Sequence, residues 1–314
     1  MWDDILTTGF LVSVLAATIR LATPILFTSL GAIYGQRSGI LNLGLEGTMT
    51  IGAVCAFIVA FFTNSLFLGL LGAVLGGILF SVIMAWLSVT MKANQVIAGT
   101  AMTILGVGLS AFIYRAIFGI KSLPAQIESF QQIRIPLLSD IPIVGKIFFD
   151  HNLLIYFAFL LVVITWFVLE KTVFGLKIKA VGEHPRAADS KGINVAKVRY
   201  QSLMIEGAYA GLGGAFMSIA YMNSFTDSII TGRGFIAVAV VVFARWHPTR
   251  AMWGALLYGL ASALQIRLQA IGAEIPNQFL LMLPYVLTII VLIGVSKKAE
   301  FPGAYTLPYS RMER

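Results

Sequence analysis

Apolar residues along this chain fall in long unbroken runs, not in alternation. Runs cover residues 5–34, 48–62, 66–91, 96–118, 151–169, 200–222, 234–246, 252–271 and 279–296. A helix needs about 20 apolar residues to cross a bilayer. A membrane β-barrel would instead show alternating segments of about ten residues. The pattern predicts an all-α, polytopic helical membrane protein with about nine transmembrane helices, read as a single transmembrane domain over 1–314. Eight or ten also fit, because a run as short as 234–246 can re-enter. The 30-residue run at 5–34 is interrupted only by Arg20 and carries Pro24. It reads as one long span bent near that proline, or as two short ones.

The polar connections give this pattern a direction. Residues 170–199 hold Lys171, Lys177, Lys179, Arg186, Lys191, Lys197 and Arg199 against only Glu170, Glu183 and Asp189. Short loops rich in Lys and Arg stay cytoplasmic. Inside this loop, Pro185 suits the first turn of a short helix and Gly192 suits its end. A short polar helix at the inner surface is a docking device, and a plain solvated connector is the alternative. With this loop inside, the 119–150 segment, broken by Pro124, Pro136 and Pro142, falls outside. The N-terminus is then outside, and the loop at 245–250 and the tail from Lys297 are inside. The stretch from Gly35 to Gly47 is too polar for a lipid-facing helix and too apolar for an ordinary loop, with four glycines, Asn42 and Glu46. Such backbone at membrane depth requires protein or a watery cavity around it. Small residues at four-residue spacing (Gly72 and Gly76, Gly207 and Gly211, Ala210 and Gly214) predict close helix packing.

Composition agrees with a membrane location. The 314 residues are 58% hydrophobic and 11% charged, against about 25% charged in soluble domains. The net charge of +8 sits mainly in loops and helix ends, where topology and anionic lipid explain it without nucleic acid. The lone Cys55 excludes a disulfide framework within one chain. The acidic start Met-Trp-Asp-Asp lacks the basic region of a cleavable signal peptide.

Candidate chemistry is sparse. No G-x-x-x-x-G-K-[ST] phosphate loop is present, and His151, His184 and His247 lie far apart in sequence. We therefore expect no catalytic and no metal site. Ionisable groups within or beside apolar runs are costly there and usually face a cavity or a partner. Arg20, Glu46, Arg115, Glu206, Arg233 and Arg267 are of this kind. Snorkelling explains Arg115 and Arg267 near span ends, and Arg233 suits a helix-end anchor. For Glu46, Glu206 and Asn42 a place on a substrate path and a structural pairing remain equally open.

Three stretches resemble the permease subunits of bacterial ABC importers, the family serving ribose, branched-chain amino acids and nucleosides. Arg37-Ser-Gly-Ile-Leu-Asn-Leu-Gly-Leu-Glu-Gly47 looks most like its nucleoside and purine branch. Val181-Gly-Glu-His-Pro-Arg-Ala-Ala-Asp-Ser-Lys-Gly-Ile-Asn194 resembles the family's cytoplasmic loop, with His184 where Asn is usual. Gly232-Arg-Gly-Phe-Ile-Ala237 through Arg245-Trp-His-Pro248 resembles a third segment. The resemblance implies a bacterial plasma-membrane importer subunit, not an enzyme. It implies partnership with a second permease (a related chain or a copy), a separate ABC ATPase that binds ATP and Mg, and an extracytoplasmic substrate-binding lipoprotein. It also implies that Glu183, Pro185, Ala187, Ala188, Gly192 and Asn194 form a cytoplasmic coupling helix for that ATPase. The substrate path is expected near Asn42, Glu46, Glu206 and Arg233. Glu206 stands where the family more often has Ser, which leaves the substrate open among nucleosides, a sugar such as ribose, and branched-chain amino acids. It also leaves Glu206 free to pair with Arg20. An ion-driven secondary transporter is the rival class.

Overall fold

All nine apolar runs fold as helices in the computed structural model, which describes residues 8–120, 124–134, 139, 141, 143–270, 276–296 and 300–311. In chain order they are α1 (Thr8–Arg37), α2 (Leu45–Thr63), α3 (Leu66–Thr90), α4 (Gln95–Phe118), α6 (Leu153–Lys171), α9 (Val195–Tyr221), α10 (Arg233–Phe243), α11 (Pro248–Ala270) and α12 (Asn277–Ser296). Among the described residues, α1, α2, α3, α4, α6 and α9 are long and apolar enough to cross a membrane. Three further helices are not membrane-length apolar runs: α5 (Val144–Phe148), α7 (Val173–Glu183) and α8 (Pro185–Ser190). The signal-peptide reading at residues 1–4 lies outside the described residues, as do Pro136 and Pro142.

The first run is one helix, not two. Pro24 sits inside α1, and the carbonyl of Pro24 accepts the Thr28 hydroxyl at 2.9 Å. At the other extreme, α10 has 11 residues. At 1.5 Å per residue it is about 16 Å long, half the hydrocarbon thickness. The 119–150 segment adds what the apolar pattern did not announce, an antiparallel ribbon of β1 (Gln132–Arg134) and β2 (Asp150–Asn152), with Ile133 opposite His151. The segment thus ends as a strand, and the helix that follows starts at Leu153.

Two helices organise the packing. α9 lies against α1, α2 and α3, and α11 lies along α1. Without a hydrophobic drive between helices in lipid, close backbone approach supplies the contact. Gly207 and Gly211 of α9 face Gly77 of α3, and Gly52 of α2 faces Gly211, where a β-carbon would come within 2.5 Å of the Gly211 α-carbon. The expected pair Gly207 and Gly211 thus forms a helix seam, and Gly214 of the pair with Ala210 meets the Met49 backbone of α2. The seam's partner Gly77 escaped the sequence reading, which paired Gly72 with Gly76.

Candidate functional site

Residues 38–44 break the chain between α1 and α2, and protein surrounds the break. Leu41 N–H donates to the Gln95 side chain at 2.8 Å, the Leu43 carbonyl accepts from the Thr103 hydroxyl at 2.9 Å, and Gly44 N–H donates to Asn42 Oδ1 at 2.8 Å. Irregular backbone at this depth is thereby satisfied internally. Asn42 is buried, and its amide nitrogen has no backbone partner among the described residues.

Glu206 lies beside it. This α9 side chain is fully buried, and no backbone N–H donates to its carboxylate among the described residues. The Asn42 side chain is the adjacent polar group, close enough for its amide to donate to the carboxylate. On α1 the carboxylate occupies the space that a side chain at Gly35 would need, and Gly31 meets the Glu206 backbone. These two glycines sit 11 or more residues from Arg20, about 16 Å along the helix. Arg20 instead lines a cleft with Tyr221 and Arg267. The pairing of Glu206 with Arg20 is therefore not formed.

Glu46 has a different environment. Its two carboxylate oxygens accept from the Gly232 and Gly234 N–H groups at 2.6 and 2.7 Å. These are first-turn donors of α10, which lack intrahelical acceptors and attract negative charge. Gly232 makes the entry possible with a φ of +82°. Arg233 bends back onto the chain before it, donating to the Ile230 carbonyl at 2.9 Å and the Thr231 hydroxyl at 2.6 Å. Glu46 and Arg233 thus build the start of a half-length helix. Arg115, expected to snorkel, pairs with Asp227 of the segment that leads into α10.

A second group of residues gathers where α1, α7, α8, α9 and α10 meet. α8 ends as Pro185 and Gly192 predict: Gly192 takes a φ of +82°, and Ile193 N–H returns to the Ala188 carbonyl at 3.1 Å. Asn194 Oδ1 caps α9 by accepting Lys197 N–H at 2.9 Å. Ala187 and Glu183 are exposed, but Ala188 is buried and packs into the core. Ala188 and Asn194 therefore hold the loop in place, while Glu183, His184 and Ala187 present outward.

Sequence reading missed Arg199 and the 300–311 segment. Arg199, counted only as one cation of a basic loop, is 1% exposed. Its Nε donates to the Ser38 carbonyl and its Nη1 to the Leu307 carbonyl, both at 3.2 Å. The segment carrying Leu307 covers this junction, and its Phe301 and Tyr305 rings lie against Trp246, with centroids 5.1 and 6.2 Å away. Trp246 Nε1 donates to Gln36 at 2.9 Å. Burial, and then the Glu206 carboxylate, push the Tyr305 hydroxyl above the usual phenol range. The clustered prolines and aromatics at 301–309 were the available signal.

A glycine-broken segment, a half-length helix and an exposed short helix thus lie together on one helical core. The chain belongs to the family described as branched-chain amino acid transport system/permease component, which it matches over residues 14–292. It is 42% identical to the guanosine ABC transporter permease protein NupQ of Bacillus subtilis, over 96% of this chain and 97% of that protein. It is 38% identical to the nucleoside ABC transporter permease protein NupC of Lactococcus lactis, over 94% and 96% respectively. Among solved structures, one described as a metal-chelate type ABC transporter in an inward-facing conformation has the same fold. Its TM-score is 0.51 at 13% identity, covering 88% of this chain and 85% of that one.

Proposed function

We propose that this chain is the membrane permease subunit of an ATP-driven importer of nucleosides. The observation that carries the reading is full-length similarity of 42% and 38% to permeases named for guanosine and nucleosides. A separate ABC ATPase binds ATP and Mg, a second permease completes the membrane unit, and an extracytoplasmic protein delivers substrate. α8 seats on the ATPase through Glu183, His184, Pro185 and Ala187, while Ala188, Gly192 and Asn194 keep it in shape. The N-terminus is outside, and the 170–199 loop and C-terminal segment are inside. ATP-driven closure of the ATPase pair moves α8, and the helices packed on it rock the path between outward and inward openings.

Asn42 and Glu206 supply polar groups to that path. One is a donor and the other an acceptor, and neither the Asn42 amide nitrogen nor the Glu206 carboxylate has a backbone partner among the described residues. They match the hydroxyl, amine and carbonyl groups of a nucleoside. Glu46 and Arg233 frame the path by fixing the start of α10.

Uptake of labelled guanosine into proteoliposomes holding the permeases, ATPase and binding protein tests this. The expected result is ATP-dependent uptake, inhibited by other nucleosides and not by ribose or leucine. Inhibition by a sugar or a branched-chain amino acid alone would change the substrate class. Uptake by this chain without the ATPase, driven by an ion gradient, would overturn the reading.

A further inference from the structure

The 300–311 segment lies outside the membrane helices, yet it is built into the structure. It forms neither helix nor strand, so every residue it orders costs roughly 1–2 kcal/mol of backbone entropy that contacts must offset. Those contacts reach four elements. Ala304 N–H donates to the Gly182 carbonyl at 2.8 Å and Gly303 N–H to Glu183 Oε2 at 3.0 Å, both on α7. Thr306 N–H donates to the Gly39 carbonyl in the break after α1 at 3.0 Å. Leu307 accepts from Arg199 of α9, and Arg311 pairs with Asp189 of α8 at 3.1 Å.

This strap leaves a cleft of about 440 Å³ beside α8. One wall runs from Glu183 through His184, Pro185 and Arg186 to Ala187, and the other holds Gly303, Ala304 and the run from Leu307 to Ser310. Charged groups thus rim an apolar floor of Pro185, Ala187, Leu307 and Pro308. Pro302 and Ala304 face inward, but Leu307 is 56% exposed. An exposed leucine and a proline opposite the outward residues of α8 extend the docking face with an apolar surface.

We propose that the ATPase docking surface has two walls, α8 and residues 303–310, and that the cleft between them takes an apolar or aromatic side chain of the ATPase. This rests on the reading that α8 docks an ATPase, and the experiment separates the two. In a Cys55→Ser background, Leu307→Cys and Ala187→Cys are each labelled with a maleimide-benzophenone and photolysed in the intact transporter complex. Both positions are expected to cross-link to the ATPase. Linking from 187 alone overturns the second wall and leaves α8 docking intact. Linking from 307 alone overturns the two-walled surface by removing α8 from it. Linking from neither overturns the docking reading itself. Leu307→Asp provides an independent measure, because Arg199 is held by the Leu307 carbonyl and not by its side chain. It is expected to weaken ATPase binding to the detergent-solubilised permease at least tenfold, with an unchanged permease elution profile. Unchanged ATPase affinity in a correctly eluting variant overturns the proposal.

Discussion

Glu46 and Glu206 are both buried carboxylates beside glycine-rich backbone, and their surroundings could hardly differ more. Glu46 is held by two backbone N–H groups at 2.6 and 2.7 Å. Glu206 has no backbone donor among the described residues, and only the neighbouring Asn42 side chain is placed to donate to it. A buried polar group is tolerated cheaply only when hydrogen bonded. Glu46 therefore reads as architecture. Glu206 retains an energetic cost inside the fold, which is the state expected of a group kept for a ligand or a moving part. Burial alone did not separate these residues, but the count of donors did.

The comparison can be broken most forcefully at Glu46. Glu46→Ala removes two charge-assisted hydrogen bonds and orphans two donors at the start of α10, at roughly 1.5–3 kcal/mol each. The permease should lose most of its folded yield, and its thermal transition in detergent should fall sharply; an unshifted transition would show that α10 is held by something else. Next in size, Gly35→Ala puts a methyl group where the Glu206 carboxylate sits, an overpacking cost of about 1–3 kcal/mol. The double variant Gly35→Ala with Glu206→Ser should recover most of that loss, and additive losses in the double-variant cycle would mean the two positions do not touch. Arg233→Ala sharpens the picture of the cap. It should cost only about 1 kcal/mol, because Glu46 is bonded to backbone and not to the guanidinium. A loss matching that of Glu46→Ala would reverse this assignment. The smallest stability effect belongs to Glu206→Gln, within about 1 kcal/mol of wild type, since Gln keeps the side chain's shape and an oxygen that can accept from Asn42. Transport should nevertheless change, with a shift of about tenfold or more in the KM for one nucleoside relative to others. Wild-type kinetics for every nucleoside would leave Glu206 a packing residue.

Much of this architecture was readable from local pattern. Nine apolar runs became nine helices because run length and helix rise are both local properties. Pro185 and Gly192 bracketed α8 for the same reason: one fixes a first turn and the other tolerates a positive φ. What escaped depends on contacts distant in sequence. The donors that satisfy Glu46 lie 186 and 188 positions away. Arg199 reads as a loop cation until Ser38 and Leu307, 161 and 108 positions away, close over it. Ala187 and Ala188 are indistinguishable as letters, yet only Ala188 packs into the core. Six residues per helix are too few for a periodic pattern to tell inside from outside.

The seat that Gly35 offers to Glu206 has a consequence for how this chain and its relatives can change. A carboxylate-bearing residue at 206 and a bare α-carbon at 35 are sterically coupled. A lineage that trades the acid for a serine frees position 35 to acquire a methyl group. The reverse path is uphill, because an alanine at 35 sets an overpacking cost of about 1–3 kcal/mol against the returning acid. The polar character of this part of the membrane unit is thus ratcheted by a single missing β-carbon on the neighbouring helix.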